Sequence, residues 1–186
     1  MFNFFHKGQV PYKNESFALY HTAMQQARNP IFFEEMSVPD TVEGRFEMVC
    51  AHVALIIARI GIEIEENKNN HDLMALSQAL FDAMFTDMEE SLRQIGIGDM
   101  GIPRRMKYMM QSLNGRIHLI GAAAYENDEQ QLNKAIKKNI YGTVEKAVPK
   151  KIIDLMRVYL IETAQILKDQ SIQDFLNGNV RFKGEI

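Results

Sequence analysis

Apolar residues recur along this chain at spacings of three and four, and nowhere do they alternate for long enough to make a strand. Asn14 is a candidate cap for a helix over residues 14–28, with Phe17, Tyr20, His21 and Met24 on one stripe and Pro30 as its stop. An aromatic connector, Ile31-Phe32-Phe33, leads to Asp40-Thr41-Val42-Glu43, which has the form of a capping box. The helix that follows sets Val42, Phe46, Val49, Val53, Ile56, Ile57 and Ile60 on one face. A polar turn, Asn67-Lys68-Asn69-Asn70, separates it from a helix over about 72–95. That helix is striped by Leu73, Leu76, Leu80, Met84, Met88, Leu92 and Ile95.

Gly96 stands where a left-handed C-terminal cap belongs, and Pro103 suits the first turn of the next helix. Met106, Met110, Leu113, Ile117, Ile120 and Ala124 then follow at alternating steps of four and three. Asp128 caps a short helix ending near Gly142, Pro149 opens a long one through about Gln170, and Ser171 to Leu176 forms a last turn before Gly178. The pattern predicts an all-α protein: one compact domain of about seven helices over residues 13–178. A flexible segment, 1–12, precedes it and a tail, 179–186, follows.

Composition narrows the class. The chain has 186 residues, with 21 basic and 24 acidic side chains, a net charge of -3 and 46% apolar residues. At this length about 70% of the unfolded surface can be buried, so neither a disulfide nor a structural metal is needed. Cys50 is the one cysteine, which excludes an internal disulfide and suits a reducing compartment. The balance excludes a secreted disulfide scaffold, a disordered tail and a strongly basic polynucleotide binder, and DNA is not expected as a partner. The start, Met1-Phe2-Asn3-Phe4-Phe5-His6-Lys7-Gly8, lacks the form of a secretory or import signal. Arg59 and Glu63, and Asp154, Arg157 and Glu162, interrupt the richest apolar stretches, so no spanning helix is predicted. Twelve methionines and no tryptophan are the unusual counts. Methionine is a flexible, polarizable filler common at adaptable surfaces.

Candidate chemistry is sparse. Gly96-Ile97-Gly98-Asp99-Met100-Gly101 matches G-x-G-x-x-G, but a dinucleotide site needs a preceding strand, and here a helix precedes. The run reads as a helix stop, a tight turn and a helix start, with free N–H groups beside Arg104, Arg105 and Lys107 that suit an anion. Residues 100–125 hold no Asp or Glu but do hold Arg104, Arg105, Lys107 and Arg116. Cations at a helix N-terminus oppose its dipole, so helix stability does not explain them. Either they pair with the neighbouring acidic stretch (Asp82, Asp87, Glu89, Glu90, Asp99) or they meet a partner. Lys134, Lys137, Lys138, Lys146, Lys150 and Lys151 form a second basic group that reads as a solvated face, with anionic lipid or ribosomal RNA as its alternative partners. The five histidines, His6, His21, His52, His71 and His118, fall in no zinc or di-iron spacing, and Cys50 and His52 read as core. A haem held by His52 and a methionine is a minority alternative. Asp82 and Asp87 lie about 140° apart on a helical wheel, which favours a solvated or ion-paired face over a cation site. No catalytic constellation, cofactor site or metal site is predicted.

Several runs taken together resemble the ubiquinol–cytochrome c chaperone family, assembly factors for the cytochrome bc1 complex. They are Val38-Pro39-Asp40-Thr41, Gly44-Arg45-Phe46-Glu47 with His52, Leu76-Ser77-Gln78-Ala79-Leu80-Phe81-Asp82 and Met84-Phe85-Thr86-Asp87-Met88. The most specific is Leu92-Arg93-Gln94-Ile95-Gly96-Ile97-Gly98-Asp99-Met100 flowing into Ile102-Pro103-Arg104-Arg105-Met106-Lys107, with Gly115-Arg116 and Tyr125 beyond. The resemblance covers roughly residues 12–170 and is strongest between 38 and 125. Gln94 stands where the family often has an acid, and Ile97 and Ile102 replace the commoner Val.

The resemblance implies a non-enzymatic chaperone that binds newly made cytochrome b or another bc1 subunit. In mitochondria a small partner protein and the ribosome take part. With no import segment at the start, the expectation is the bacterial form, cytoplasmic and peripheral on the cytoplasmic face of the inner membrane. Ribosome association is carried over as a further expectation. The partner-binding residues expected are Asp99, Arg104, Arg105, Met106, Lys107, Met109, Met110 and Arg116: methionines for an apolar client, cations for a membrane-tolerant rim. The alternatives are a helical haem- or small-ligand-binding protein and a ribosome- or RNA-associated module.

Overall fold

In the computed structural model, residues 11–68, 70–94 and 96–184 are described. Residues 1–10 of the expected N-terminal segment, with His6 and the first phenylalanines, fall outside that set, as do Asn69 and Ile95. Helices carry the chain throughout, in the order α1 (Lys13–Ala27), α2 (Pro30–Glu34), α3 (Val42–Glu66), α4 (His71–Gln94) and α5 (Ile102–Arg116). A π-helical segment, Ile117–Ala122, runs from α5 into α6 (Ala123–Glu126). Next come α7 (Glu129–Ala135), a second π-helical segment (Ile136–Ile140), α8 (Lys150–Asp169) and α9 (Ile172–Leu176). No strand occurs among the described residues, so the all-α expectation holds.

Side-chain caps explain several boundaries but not that of α1, which begins at Lys13 with Tyr12 before it and the expected cap, Asn14, already inside the helix. Thr41 accepts a hydrogen bond from the Gly44 amide at 3.1 Å and starts α3. The predicted box put the cap one residue earlier, at Asp40; that carboxylate instead takes Arg45 at 2.6 Å. Asp128 caps α7 as expected, and Ser171 caps the last turn, α9, by accepting from the Gln173 amide. The predicted aromatic connector is helical, because Asn29 caps Ile31 and Pro30 sits in the first turn, where a missing N–H costs nothing.

The core is built around α3. This helix packs on α1, α4, α5, α6 and α8 and on both π segments. From Cys50 to Ile56 every residue is buried. The predicted single stripe is therefore too narrow for the middle of α3 and wrong at its start, where Val42 is 73% exposed before the helix enters the core. The α4 stripe stands as expected: Leu73, Leu76, Leu80, Met84, Met88 and Leu92 are buried.

At Gly121 the first π segment lies against α3. A Cβ there would sit 2.7 Å from the Ala54 carbonyl oxygen and 2.8 Å from the Ala58 Cβ. Only a residue without a Cβ permits that approach. The chain beyond α9 lies back over the bundle, with Val180 buried. Gln170 clasps it through both ends of its amide, accepting from the Arg181 N–H and donating to the Arg181 carbonyl, each at 2.8 Å.

Candidate functional site

The most informative region joins α4 to α5. At the end of α4 the Ile97 amide donates to the Leu92 carbonyl and the Gly96 amide to Arg93, at 3.1 and 3.0 Å. With Gly96 at φ 83°, this is the six-to-one and five-to-two pattern of a Schellman cap. The glycine run is thus a helix stop and turn, as its spacing implied. The loop is held by Arg93, which takes Glu89 at 2.7 Å and also pairs with Asp99.

α5 then presents two unlike faces. At 100° per residue, Arg104, Lys107, Tyr108 and Gln111 fall within an arc of about 100°, and all four are exposed. Arg105 flanks that arc and is also exposed. Met106, Met109 and Met110 are partly buried and pack against the core from the other side. The predicted cations are therefore outward and the predicted methionines inward, on one helix.

Arg116, the last of the predicted set, belongs with the inward residues. Its guanidinium grips Glu47 of α3 through two nitrogens, Nε to Oε2 at 2.9 Å and Nη2 to Oε1. Nη1 donates to the Ser112 carbonyl at 3.1 Å. The two side chains are only 15% and 13% exposed. Burial holds the Glu47 carboxyl above the usual carboxylate range, against the downward pull of Arg116. This pair ties α5 to α3. The sequence flagged Arg116 but not Glu47, whose partner lies 69 residues away.

Arg45, Arg59, Arg93, Arg116 and Arg157 each hold a carboxylate. Arg104, Arg105 and Lys107 hold none among the described residues, so the pairing alternative for this cluster is not what forms. The acidic stretch finds other partners: Asp82 accepts from Gln78, Asp87 from the Tyr20 hydroxyl, and Glu89 and Asp99 share Arg93. Two exposed apolar side chains accompany the free cations, Met100 at 98% and Tyr108 at 70%. Sequence reasoning passed over Tyr108; its place four residues after Arg104 was the available signal.

The remaining chemistry is structural. His52 is fully buried, with Nδ1 2.7 Å from the Met48 carbonyl and Nε2 2.7 Å from the Tyr159 hydroxyl. A carbonyl only accepts, so Nδ1 carries the proton and Nε2 accepts from Tyr159. Gln26 in turn donates to the Tyr159 oxygen at 3.1 Å and to the Lys183 carbonyl at 2.8 Å. Burial pushes His52 down to about 4, so it is neutral, and neither nitrogen is free for an iron. Cys50 is buried with its thiol pushed up, which leaves no activated nucleophile there.

The second basic group is exposed as expected. Lys134 and Lys138 line a cleft of about 300 Å³ with Leu119 and Asp128. A larger cleft of about 540 Å³ runs beside the first π segment, lined by Ile62, Glu63, His118, Tyr125 and Glu126, with walls of mixed charge. Among the described residues no helix is long and apolar enough to cross a membrane.

A family model described as ubiquinol–cytochrome C chaperone matches residues 34–182, which takes in α3 to α9 and the returning chain. The chain belongs to this family. A solved relative, the Cbp3 homolog from Brucella abortus, is 30% identical to it. The likeness covers 94% of this chain and 91% of that one, with a TM-score of 0.77. No curated protein matches the chain. The matched range includes residues 92–107, where the Schellman turn delivers α5 with its cations outward and its methionines inward.

Proposed function

We propose that this protein is a non-enzymatic assembly chaperone for the cytochrome bc1 complex, binding newly made cytochrome b at the cytoplasmic face of the inner membrane. The observation that carries the reading is the family match over residues 34–182, with a 30% identical relative covering nearly the whole chain. The α4–α5 region supports it physically. Met106, Met109 and Met110 sit partly buried at the edge of the core, where flexible thioethers can shift to meet an apolar segment. Asp99 and Arg116 bracket this row, one fixing the loop and the other fixing α5 on α3. Arg104, Arg105 and Lys107 form the rim beside it.

Deleting the gene and measuring assembled bc1 complex tests the reading. Loss of the complex with unchanged transcription of its subunits is expected; normal levels of assembled cytochrome b overturn it. Affinity capture from mildly solubilised membranes should bring down cytochrome b, and the triple change Met106→Ser, Met109→Ser, Met110→Ser should lose it. Haem is disfavoured by the committed ring nitrogens of His52. Haem titration is expected to give no His52-dependent Soret band.

A further inference from the structure

We infer that the outward face of α5 docks the protein on an anionic lipid bilayer, through Arg104, Arg105 and Lys107 as headgroup contacts and Met100 and Tyr108 as interfacial anchors. The inference deepens the chaperone reading by giving its rim a partner, and it rests on that reading only for its biological purpose.

Charge is the first observation. The first turn of α5 contains no acidic residue, and its N-terminus has no side-chain cap. Two arginines there work against the positive end of the helix dipole. Five other arginines are matched with carboxylates, while Arg104, Arg105 and Lys107, like Arg28 and Arg181, have no ion pair among the described residues; of these arginines only Arg104 and Arg105 are adjacent in the chain. Nearby Glu89 and Asp99 are held by Arg93, and Glu47 by Arg116. Glu89, Asp99 and Arg93 together leave one surplus negative charge, against which the three cations keep the face net positive.

Side-chain type is the second. A face kept only for solubility has no need of a nearly fully exposed methionine and a largely exposed tyrosine. Tyrosine is enriched at membrane interfaces, where its ring meets the headgroup level and its hydroxyl stays wet. Shape is the third. Arg104, Lys107, Tyr108 and Gln111 share an arc of about 100°, which lets them reach one plane together. A planar anionic surface answers all three. A lone phosphate would not use the aromatic ring, whereas a bilayer meets Arg104 and Lys107 together with Tyr108 and leaves Arg105, about 160° from Lys107 around the helix, to reach it from the flank.

The chain has no tryptophan, so a Tyr108→Trp variant carries a single clean fluorophore at the proposed contact. The full chain is mixed with phosphatidylcholine vesicles, with and without phosphatidylglycerol. Sedimentation with the anionic vesicles only is expected, with loss in high salt and a blue shift of the Trp emission. Each basic residue near a surface contributes about fivefold to binding. Removing all three by Arg104→Gln, Arg105→Gln and Lys107→Gln should weaken it roughly a hundredfold. Met100→Ser should cost several-fold, and circular dichroism confirms that each variant is folded.

No binding to anionic vesicles, equal binding to neutral ones, unchanged binding of the triple variant or an unmoved Trp spectrum would each overturn the inference. So would salt-sensitive binding to a ribosomal RNA fragment without vesicle binding. The outcomes separate cleanly from the chaperone test. Vesicle binding with normal bc1 assembly after deletion sinks the function and keeps the surface; assembly loss without vesicle binding does the reverse.

Discussion

α3 and α5 both carry charged and polar side chains, but the two helices treat them in opposite ways. In α3, His52 uses both ring nitrogens, Glu47 is gripped by Arg116, and Arg59 takes Glu63 at 3.0 Å. In α5, Arg104, Arg105 and Lys107 stand outward without carboxylates among the described residues. Polar groups are expensive to bury, so the fold answers His52, Glu47 and the Arg59 Nη1, although the Arg59 Nε is buried without a hydrogen-bond partner. Those in α5 face no such penalty and contribute little to the fold. The contrast says which positions hold the structure and which remain available for a partner.

The largest test breaks the link between the two helices. Arg116→Met leaves the Glu47 carboxyl buried without its partner and should cost about 3–5 kcal/mol in urea unfolding. Adding Glu47→Leu to that variant should restore much of the loss, because an apolar pair of similar size replaces the ionic one. A single change costing under about 1 kcal/mol would mean that the pair is effectively hydrated and the contrast overstated.

A second test uses pH. His52 titrates at about 4 when folded, against an ordinary value near 6.5, so the unfolded chain binds the proton more readily. Its contribution to stability is complete above about pH 6.5 and falls as pH drops toward 4. Roughly 3 kcal/mol should be lost across that window. In His52→Gln this part of the slope should vanish, although the variant starts less stable at neutral pH because Tyr159 loses its acceptor. An unchanged slope would place His52 outside the buried network.

Glycines in the α5–α6 run sharpen the comparison further. Gly121→Ala pushes a methyl into the Ala54 carbonyl and should destabilise by about 1–3 kcal/mol. Gly115→Ala meets open space on the same run and should stabilise by about 0.5–1 kcal/mol, because a helical glycine gives up more freedom than alanine. Equal effects at the two sites would contradict the close approach of the π segment to α3.

Much of this was legible in the chain. The stop at Gly96, the stripe on α4, the cap at Asp128 and the last turn at Ser171 to Leu176 each rest on local chemistry, and each is where the residues indicated. The misses are of two kinds, local choices between near-equal signals and relations between distant segments; in α1, Asn14 lies inside the helix and Phe17 and His21 of the expected stripe are exposed. Thr41 rather than Asp40 caps α3 because Arg45 draws the aspartate away, and a pattern of cap letters cannot rank two adjacent candidates. The encirclement of α3 depends on how many elements surround it, which a single stripe cannot show. The π segment at Ile117–Ala122 is masked by apolar steps of four and three that an ordinary helix also satisfies. At the candidate site, the cluster of cations was visible in sequence. Its outward direction and lack of carboxylates were not, since both depend on where α4 and α3 place their own charges.

Charge reversal in the first turn of α5 is the most diagnostic test. Arg104 and Arg105 lie in the first turn of α5, beside unsatisfied amides and the positive end of the dipole. Replacing them by Glu should therefore stabilise the fold, by about 0.3–1 kcal/mol per charge. The same Arg104→Glu/Arg105→Glu variant should lose binding to anionic vesicles. A residue pair kept for the fold would show the opposite sign in urea unfolding. If reversal lowers stability by more than about 1 kcal/mol, the arginines have intramolecular partners and the division between α3 and α5 fails. If it raises stability while abolishing vesicle binding, the two arginines are held against the interest of their own helix. A partner outside the chain is then the physical reason for their presence.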